Sequence, residues 1–162
     1  MKILAIEDSG TQVAIIKRVL ESTGWQIDTC DSLKEGLANH RDYDLVLLDL
    51  NLTDSDRYQT IAAIPQFETP AMVMTADDSD DIPQLVGEAG AVGMWRKNGF
   101  ATDPSKEGSL GHLIDTIRYR LGAMKRRKER RAQIREKIGE RNFGVAHEPA
   151  GTVGIEHLDH NR

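Results

Sequence analysis

The feature that most constrains this chain is a short apolar run that ends in an acid, Leu45 to Asp49. Such a run is typical of a buried strand with a carboxylate at its carboxyl end. A second apolar run, Lys2 to Ile6, is followed directly by Glu7 and Asp8. If the two runs form neighbouring strands, their acids meet in one crevice and need shared protons or a divalent cation. Asp49 is therefore a candidate nucleophile.

Two later apolar runs end in other polar groups. Ala71 to Met74 is followed by Thr75, and Ala91 to Trp95 runs into Lys97. Stretches with helical periodicity separate the runs, and this alternation indicates a parallel α/β sheet. Ligands of such sheets bind outside the carboxyl ends of the strands. The sequence thus predicts one site that combines carboxylates, a hydroxyl and an ammonium group.

The alternation of apolar runs and amphipathic stretches predicts five strand–helix units. Ser9 is a candidate N-cap of the first helix, Gly36 weakens the prediction of the second, and Pro65 should end the third early. The predicted strands are 2–6, 26–30, 44–49, 70–75 and 91–95, and the predicted helices are 10–23, 33–40, 57–65, 80–89 and 108–140.

The net charge of −5 is unevenly distributed. Residues 1–105 carry 8 basic and 18 acidic side chains, whereas residues 106–141 carry 12 basic and 5 acidic ones. We predict a folded domain at 1–122, a basic helical extension at 123–141, and a tail at 142–162 that lacks apolar periodicity and is expected to be disordered.

Other sequence features limit the classes of protein that fit. No apolar stretch reaches the roughly 18 residues of a membrane span, and the amino terminus lacks a secretory signal pattern. We therefore expect a cytoplasmic protein with no membrane insertion. The single cysteine, Cys30, excludes an internal disulfide and is expected to be a buried core thiol.

Four segments together resemble the receiver domain of two-component response regulators, over roughly residues 1–122. They are Ile-Leu-Ala-Ile-Glu-Asp at 3–8, Asp-Leu-Val-Leu-Leu-Asp-Leu-Asn-Leu at 44–52, Val-Met-Thr-Ala at 73–76 and Gly-Ala-Val-Gly-Met-Trp-Arg-Lys at 90–97. The resemblance implies a flavodoxin-like, doubly wound sheet of five parallel strands in the order 2-1-3-4-5. An extended C-terminal helix would follow it.

The resemblance also implies a phosphoacceptor site that uses Mg²⁺. Asp49 would accept a phosphoryl group from a phosphohistidine of a sensor histidine kinase or a histidine phosphotransfer protein. Asp8 and Asp49 would bind the metal directly, Glu7 through water, and Asn51 through its backbone carbonyl. The domain would be a signalling switch rather than an enzyme with a separate output activity.

The remaining site residues follow from the same resemblance. Thr75 and the backbone amide of Ala76 would bind a phosphoryl oxygen, and Lys97 would neutralise charge during transfer. Asn51 and Asp77 occupy the positions that tune self-hydrolysis, and this amide–acid pairing is similar to that of chemotaxis receivers. It predicts a short-lived phosphorylated state.

The chain departs from the usual receiver pattern at four positions. Asn98 follows Lys97 where proline is common, and Met94 stands where many receivers have a switch aromatic. Thr53 and Arg57 replace a common proline and a common glycine. We therefore expect a differently held lysine loop, a looser loop after Asp49, and an irregular start to the third helix.

Several alternatives stay open at the level of sequence. Glu7 and Asp8 could simply cap a helix, Asp49 could be an ordinary loop acid and Lys97 a surface lysine. The basic extension could instead be the functional part, binding nucleic acid or an acidic partner, although it offers no aromatic side chain for base stacking. A Mg²⁺-dependent phosphohydrolase could use the same acids. The apolar stripe within 108–124 could also form a homodimer.

Overall fold

The central feature of the computed structural model, which describes residues 1–97 and 109–143, is a sheet of five parallel strands. The strand order is β2-β1-β3-β4-β5. This confirms the predicted fold class and topology. The strands are β1 (Lys2–Ile6), β2 (Gln26–Cys30), β3 (Leu45–Asp49), β4 (Ala71–Thr75) and β5 (Gly93–Arg96).

Five helices connect or follow the strands, and short 3-10 turns at His40–Asp42 and Ile64–Gln66 extend two of the connections. Pro65 lies in the second of these turns, as expected for a residue that ends a helix. The helices are α1 (Gly10–Glu21), α2 (Leu33–Asn39), α3 (Arg57–Ala63), α4 (Ile82–Glu88) and α5 (Leu110–Phe143).

Most element boundaries shift by one to three residues from the sequence prediction, and the start of β5 and the form of α3 differ for identifiable reasons. Strand β5 starts at Gly93 rather than at residue 91, because Gly90 has a φ of +88° and the amide of Ala91 donates to the Val86 carbonyl at the end of α4. Helix α3 begins regularly, whereas we expected an irregular start. Asp56 caps it, and the side chain of Gln59 completes a reciprocal capping box.

The apolar core lies on both faces of the sheet. Helices α2, α3 and α4 bury apolar side chains against one face, and α1 and the start of α5 do so against the other. All residues of β3 and β4 are buried. Burial on both faces explains why these strands appear in the sequence as continuous apolar runs rather than as alternating patterns.

Three sulfur and aromatic side chains occupy defined places in this core. Trp95 is buried on the face covered by α1 and α5, whereas Met94 is half-buried against the opposite cluster. Cys30 is a buried free thiol, as predicted. Burial, together with nearby acids, raises the pKa of this thiol to about 11, so Cys30 stays protonated near neutral pH.

The amino terminus of α2 fixes the loop that follows β3. Asp54 accepts hydrogen bonds from the amides of Leu33 and Lys34 at 2.9 and 3.1 Å, and Ser32 accepts from the amide of Glu35. Burial opposes ionisation of Asp54, but these amide hydrogen bonds lower the pKa of its carboxyl. The cap therefore couples α2 to the loop beside Asp49.

The chain divides into two compact units, Met1–Ala123 and Met124–Arg162. In the second unit, the described part is the remainder of α5, and its side chains from Lys125 to Ile138 are exposed. The predicted disordered tail lies outside the described residues, apart from the end of α5 at Phe143. None of the described helices combines the length and the apolar character that crossing a bilayer requires.

Gly36 has a packing role that its sequence context did not reveal. A Cβ at this position would lie 2.1 Å from Cδ1 of Ile6, a fully buried residue of β1. The glycine therefore lets α2 approach the sheet closely. We expect Gly36→Ala to lower the free energy of unfolding by about 1 kcal/mol, because overpacking outweighs the gain in helix propensity. Urea unfolding measures this change.

Gly87 provides the matched control, since a Cβ there would meet nothing within 4 Å. Gly87→Ala should raise stability by up to about 1 kcal/mol through helix propensity alone. Ile6→Val removes the clashing methyl group and should lessen the cost of Gly36→Ala. Equal stabilisation by both alanine substitutions would contradict the packing role.

Candidate functional site

A buried ion cluster lies at the carboxyl edge of the sheet. The Nζ of Lys97 is 2.5 Å from Oε2 of Glu7 and 3.0 Å from Oδ2 of Asp49. The three side chains are only 3, 1 and 9% exposed. Glu7 follows β1, Asp49 ends β3 and Lys97 follows β5, so the lysine side chain reaches past β4 to the other two.

Asp8 completes the acidic group and is more exposed than Glu7 and Asp49. One carboxylate oxygen from each of these three acids lies within 4.8 Å of the others. The structure thus brings together the residues predicted to form the metal site, with the exception of the Asn51 carbonyl, for which no contact to the acids is described. Oxygen ligands at this spacing suit a hard divalent cation.

The surroundings of Asp49 disfavour the charged form of its carboxyl group. Burial raises its pKa and Glu7 adds to the effect, whereas Lys97 and the backbone amide of Leu50 oppose it. That amide donates to Oδ1 of Asp49 at 2.8 Å, while Lys97 faces Oδ2. The two oxygens are therefore held in different surroundings, and the carboxylate is oriented before any ligand arrives.

Thr75 links the ends of two strands at the same edge. Its carbonyl accepts a hydrogen bond of 2.7 Å from the amide of Lys97, and its buried hydroxyl accepts one of 3.0 Å from the amide of Asp77. Ala76 follows it and is exposed. In the described part of the chain, neither Thr75 nor Ala76 makes a hydrogen bond to Asp49.

Asn51 lies in an open groove of about 400 Å³ beside the site. The groove includes a turn in which the amide of Leu52 donates to the Ser55 carbonyl at 3.2 Å. The amide of Ser55 donates in turn to the Leu52 carbonyl at 3.3 Å. Thr53 lies inside this turn. The loop after Asp49 is therefore held by two backbone hydrogen bonds, although it lacks the usual proline. The groove is lined by Asn51, Leu52, Thr53, Asp54, Ser55, Asp56 and Gln59.

A second charged group near the site was missed in the sequence analysis. Arg57 Nη1 donates to Oδ2 of Asp77 at 2.6 Å and to the hydroxyl of Ser79 at 3.0 Å. The hydrogen bonds from Ser79 and Arg57 lower the pKa of the Asp77 carboxyl to about 2. The sequence signal that could have indicated this pair is an arginine at the start of a helix, where a cation is unfavourable. Asn98, another departure from the receiver pattern, lies outside the described residues.

The charges of the site predict opposite effects for two substitutions. Lys97→Met leaves buried acids without their ammonium partner and should lower the free energy of unfolding by about 3 kcal/mol or more. Asp49→Asn removes one of the crowded anions and should leave stability unchanged or raise it by about 1 kcal/mol. Urea unfolding in a chelating buffer measures both effects.

The exposed pair Arg41–Glu68, whose side chains are 66 and 69% exposed, provides a control. Arg41→Ala should change the free energy of unfolding little, because an exposed ion pair is screened by solvent. If Lys97→Met proves no more destabilising than Arg41→Ala, the ion cluster does not hold the strand ends together.

Comparison with curated proteins identifies relatives among response regulators. The chain is 29% identical over 144 residues to the cell cycle transcriptional regulator CtrA of Caulobacter vibrioides, covering 86% of this chain and 57% of CtrA. It is 31% identical over 107 residues to the cell cycle response regulator CtrA of Brucella ovis, covering 64% of this chain and 41% of that protein. The chain therefore spans about half the length of these relatives.

Solved structures show the same fold. A two-component response regulator from Clostridium difficile is similar with a TM-score of 0.65 at 23% identity, covering 76% of this chain and 98% of that one. The BeF3-activated receiver domain of Klebsiella pneumoniae RstA matches with a TM-score of 0.60 at 26% identity, covering 75% of this chain and 98% of that one. Residues 3–103 match the family described as the response regulator receiver domain, and the chain therefore belongs to that family of two-component signalling proteins.

Proposed function

We propose that Asp49 accepts a phosphoryl group from a phosphohistidine and that phosphorylation changes which proteins the domain binds. The observation that carries this proposal is the buried contact of Lys97 with both Glu7 and Asp49. Asp8, which is more exposed, lies beside these two acids. A carboxylate oxygen of Asp49 attacks phosphorus, the P–N bond to the donor imidazole breaks, and an acyl phosphate forms.

The acids fit a Mg²⁺ ion in ligand type and charge. Their oxygens are hard ligands, and three carboxylates against one ammonium leave an excess of negative charge that a cation would offset. Asp8 and Asp49 would hold it directly, Glu7 through water and Asn51 through its carbonyl. When bound, the ion neutralises charge on the phosphoryl oxygens.

The other residues position the phosphoryl group. Lys97 already lies 3.0 Å from an oxygen of Asp49 and can pair with the charge that develops there. The Thr75 hydroxyl and the Ala76 amide, at the end of the adjacent strand β4, are suited to bind a phosphoryl oxygen. The Thr75 hydroxyl accepts a hydrogen bond from the Asp77 amide, and its own O–H can still donate to a phosphoryl oxygen.

We infer that the donor is a sensor histidine kinase or a histidine phosphotransfer protein, and that the domain acts in the cytoplasm. The output is a change in protein contacts rather than a separate enzymatic activity. The chain spans only 57% of the Caulobacter relative, and the proposal concerns the receiver domain.

The second unit supports a candidate interaction function. Its helical segment from Lys125 to Ile138 is exposed throughout, and Ile134 and Ile138 are 50 and 54% exposed within a basic sequence. We propose that the chain self-associates through residues 108–124. The alternative is that the basic segment binds nucleic acid or an acidic partner. Leu113 and Ile117 pack in the core of the domain itself. Fewer apolar side chains of this segment are therefore left to contact a second copy of the chain.

Labelling with acetyl phosphate tests the principal proposal. Wild-type protein should gain one phosphoryl group in the presence of Mg²⁺ and none in a chelating buffer, as measured by intact mass spectrometry. Asp49→Asn should abolish labelling because it removes the nucleophilic oxygen. Asp42→Asn is a matched control, since Asp42 is exposed before the amino end of β3. Similar labelling of another residue in the Asp49→Asn protein would refute the assignment.

Sedimentation velocity tests the proposed homodimer. The full chain should self-associate more strongly with beryllofluoride, a phosphoryl mimic, and truncation after Arg120 should weaken that association. A chain that stays monomeric at high micromolar concentration in both conditions would refute the dimer. Binding to random duplex DNA that falls steeply with salt would then favour the nucleic-acid alternative.

A further inference from the structure

The pair of Arg57 and Asp77 joins two loops at the edge that carries the proposed phosphoacceptor. Arg57 is the first residue of α3, after β3, and Asp77 lies two residues beyond the end of β4. Their closest atoms, Nη1 and Oδ2, are 2.6 Å apart. The other terminal nitrogen of Arg57 donates to the hydroxyl of Tyr58 at 3.1 Å. The guanidinium therefore has a fixed position across the gap between the loops.

The local helix does not favour this arginine. A cation in the first turn faces the positive end of the helix dipole, which is unfavourable. Arg57 extends to the neighbouring loop and pairs with Asp77, where the side chains are 32 and 12% exposed. The arginine is thus stabilised by a contact between loops rather than by its own helix.

Asp77 has no free carboxylate oxygen in this arrangement. Oδ2 accepts from Arg57, and Oδ1 accepts from the amide of Ser79 at 3.0 Å and from its hydroxyl at 2.6 Å. The amide of Asp77 donates to the Thr75 hydroxyl, which keeps the residue next to the end of β4. Asp77 is therefore close to the proposed site, and both of its carboxylate oxygens already accept hydrogen bonds.

We propose that Arg57 is a positioning residue that withholds the Asp77 carboxylate from the phosphorylated site and so prolongs the phosphorylated state. This inference rests on the proposed phosphorylation of Asp49. It changes the sequence-based expectation of a short-lived state, because that expectation requires a free carboxylate at Asp77.

The step that Arg57 slows is hydrolysis of the acyl phosphate on Asp49. The oxygen of a water molecule attacks phosphorus, the P–O bond to Asp49 breaks, and its electron pair returns to Asp49 as a carboxylate. Inorganic phosphate leaves, and the proton of the attacking water passes to a general base and then to solvent. A free Asp77 carboxylate can serve as this base, whereas one engaged with Arg57 and Ser79 is a much weaker proton acceptor.

A double-mutant cycle tests the inference through the decay of the acyl phosphate. Wild type, Arg57→Ala, Asp77→Ala and the double variant are labelled with acetyl phosphate and Mg²⁺, the donor is removed by rapid desalting, and the remaining label is followed by mass spectrometry. Arg57→Ala should decay roughly 10-fold faster than wild type, a modest general-base effect. Asp77→Ala and the double variant should stay within about twofold of wild type, because neither has a carboxylate to release.

Two further variants separate the masking of Asp77 from a general loosening of the fold. Arg57→Lys keeps a cation at this position and should retain most of the wild-type lifetime. Ser79→Ala removes the hydroxyl that donates to Asp77 and accepts from Arg57, but it keeps the direct contact between Arg57 and Asp77. It should therefore accelerate decay less than Arg57→Ala. Arg41→Ala breaks another arginine–carboxylate pair, 2.9 Å apart, and should leave the decay rate unchanged. Thermal unfolding followed by circular dichroism confirms that each variant is folded.

Distinct outcomes overturn the inference. Unchanged decay in Arg57→Ala overturns it alone, as does a double variant that decays as fast as Arg57→Ala, because the effect then does not pass through Asp77. If Arg57→Ala does not fold, decay in Ser79→Ala no faster than in wild type is the overturning result. Wild-type protein that takes no label overturns the proposed function, and this inference with it.

Discussion

The structure of the site depends on one buried ammonium group. Lys97 contacts two acids that are almost completely buried, Glu7 and Asp49, and each charge would be costly to bury alone. Glu7 and Lys97 follow β1 and β5, and Asp49 ends β3, so the cluster connects the carboxyl ends of these three strands. Removing the lysine would therefore affect both the charge balance of the site and the packing of the strand ends.

The sheet order explains why the chemistry can gather at this edge. Strands β1, β3 and β4 are adjacent and parallel, and the residues that follow them include the acids and the hydroxyl. Helices cover both faces, so polar groups at the carboxyl ends of these strands are placed where ligands of parallel sheets bind. The fold fixes the position of the reactive groups, and a few strand-end residues determine their chemistry.

The sequence predicted that the acids and the lysine lie at one edge of the sheet, and the structure places them there, because strand ends are set by local patterns. Their roles stay a prediction. Apolar runs identify the buried strands, and parallel topology then brings together whatever follows them. Two features could not be predicted in this way. The need for Gly36 depends on how closely α2 approaches Ile6, and the Arg57–Asp77 pair depends on the relative placement of two loops. Both are tertiary distances that no local periodicity encodes.

The Lys97 cluster and the Arg57–Asp77 pair differ in burial, and the difference suits different roles. The contacts of Lys97 are shielded from water, so salt and competing ligands weaken them little. The Arg57–Asp77 pair is partly exposed, and pairs of that kind contribute little stability and exchange more readily. A buried cluster is suited to orient Asp49, whereas the more accessible pair is suited to the proposed control over how long a phosphoryl group persists.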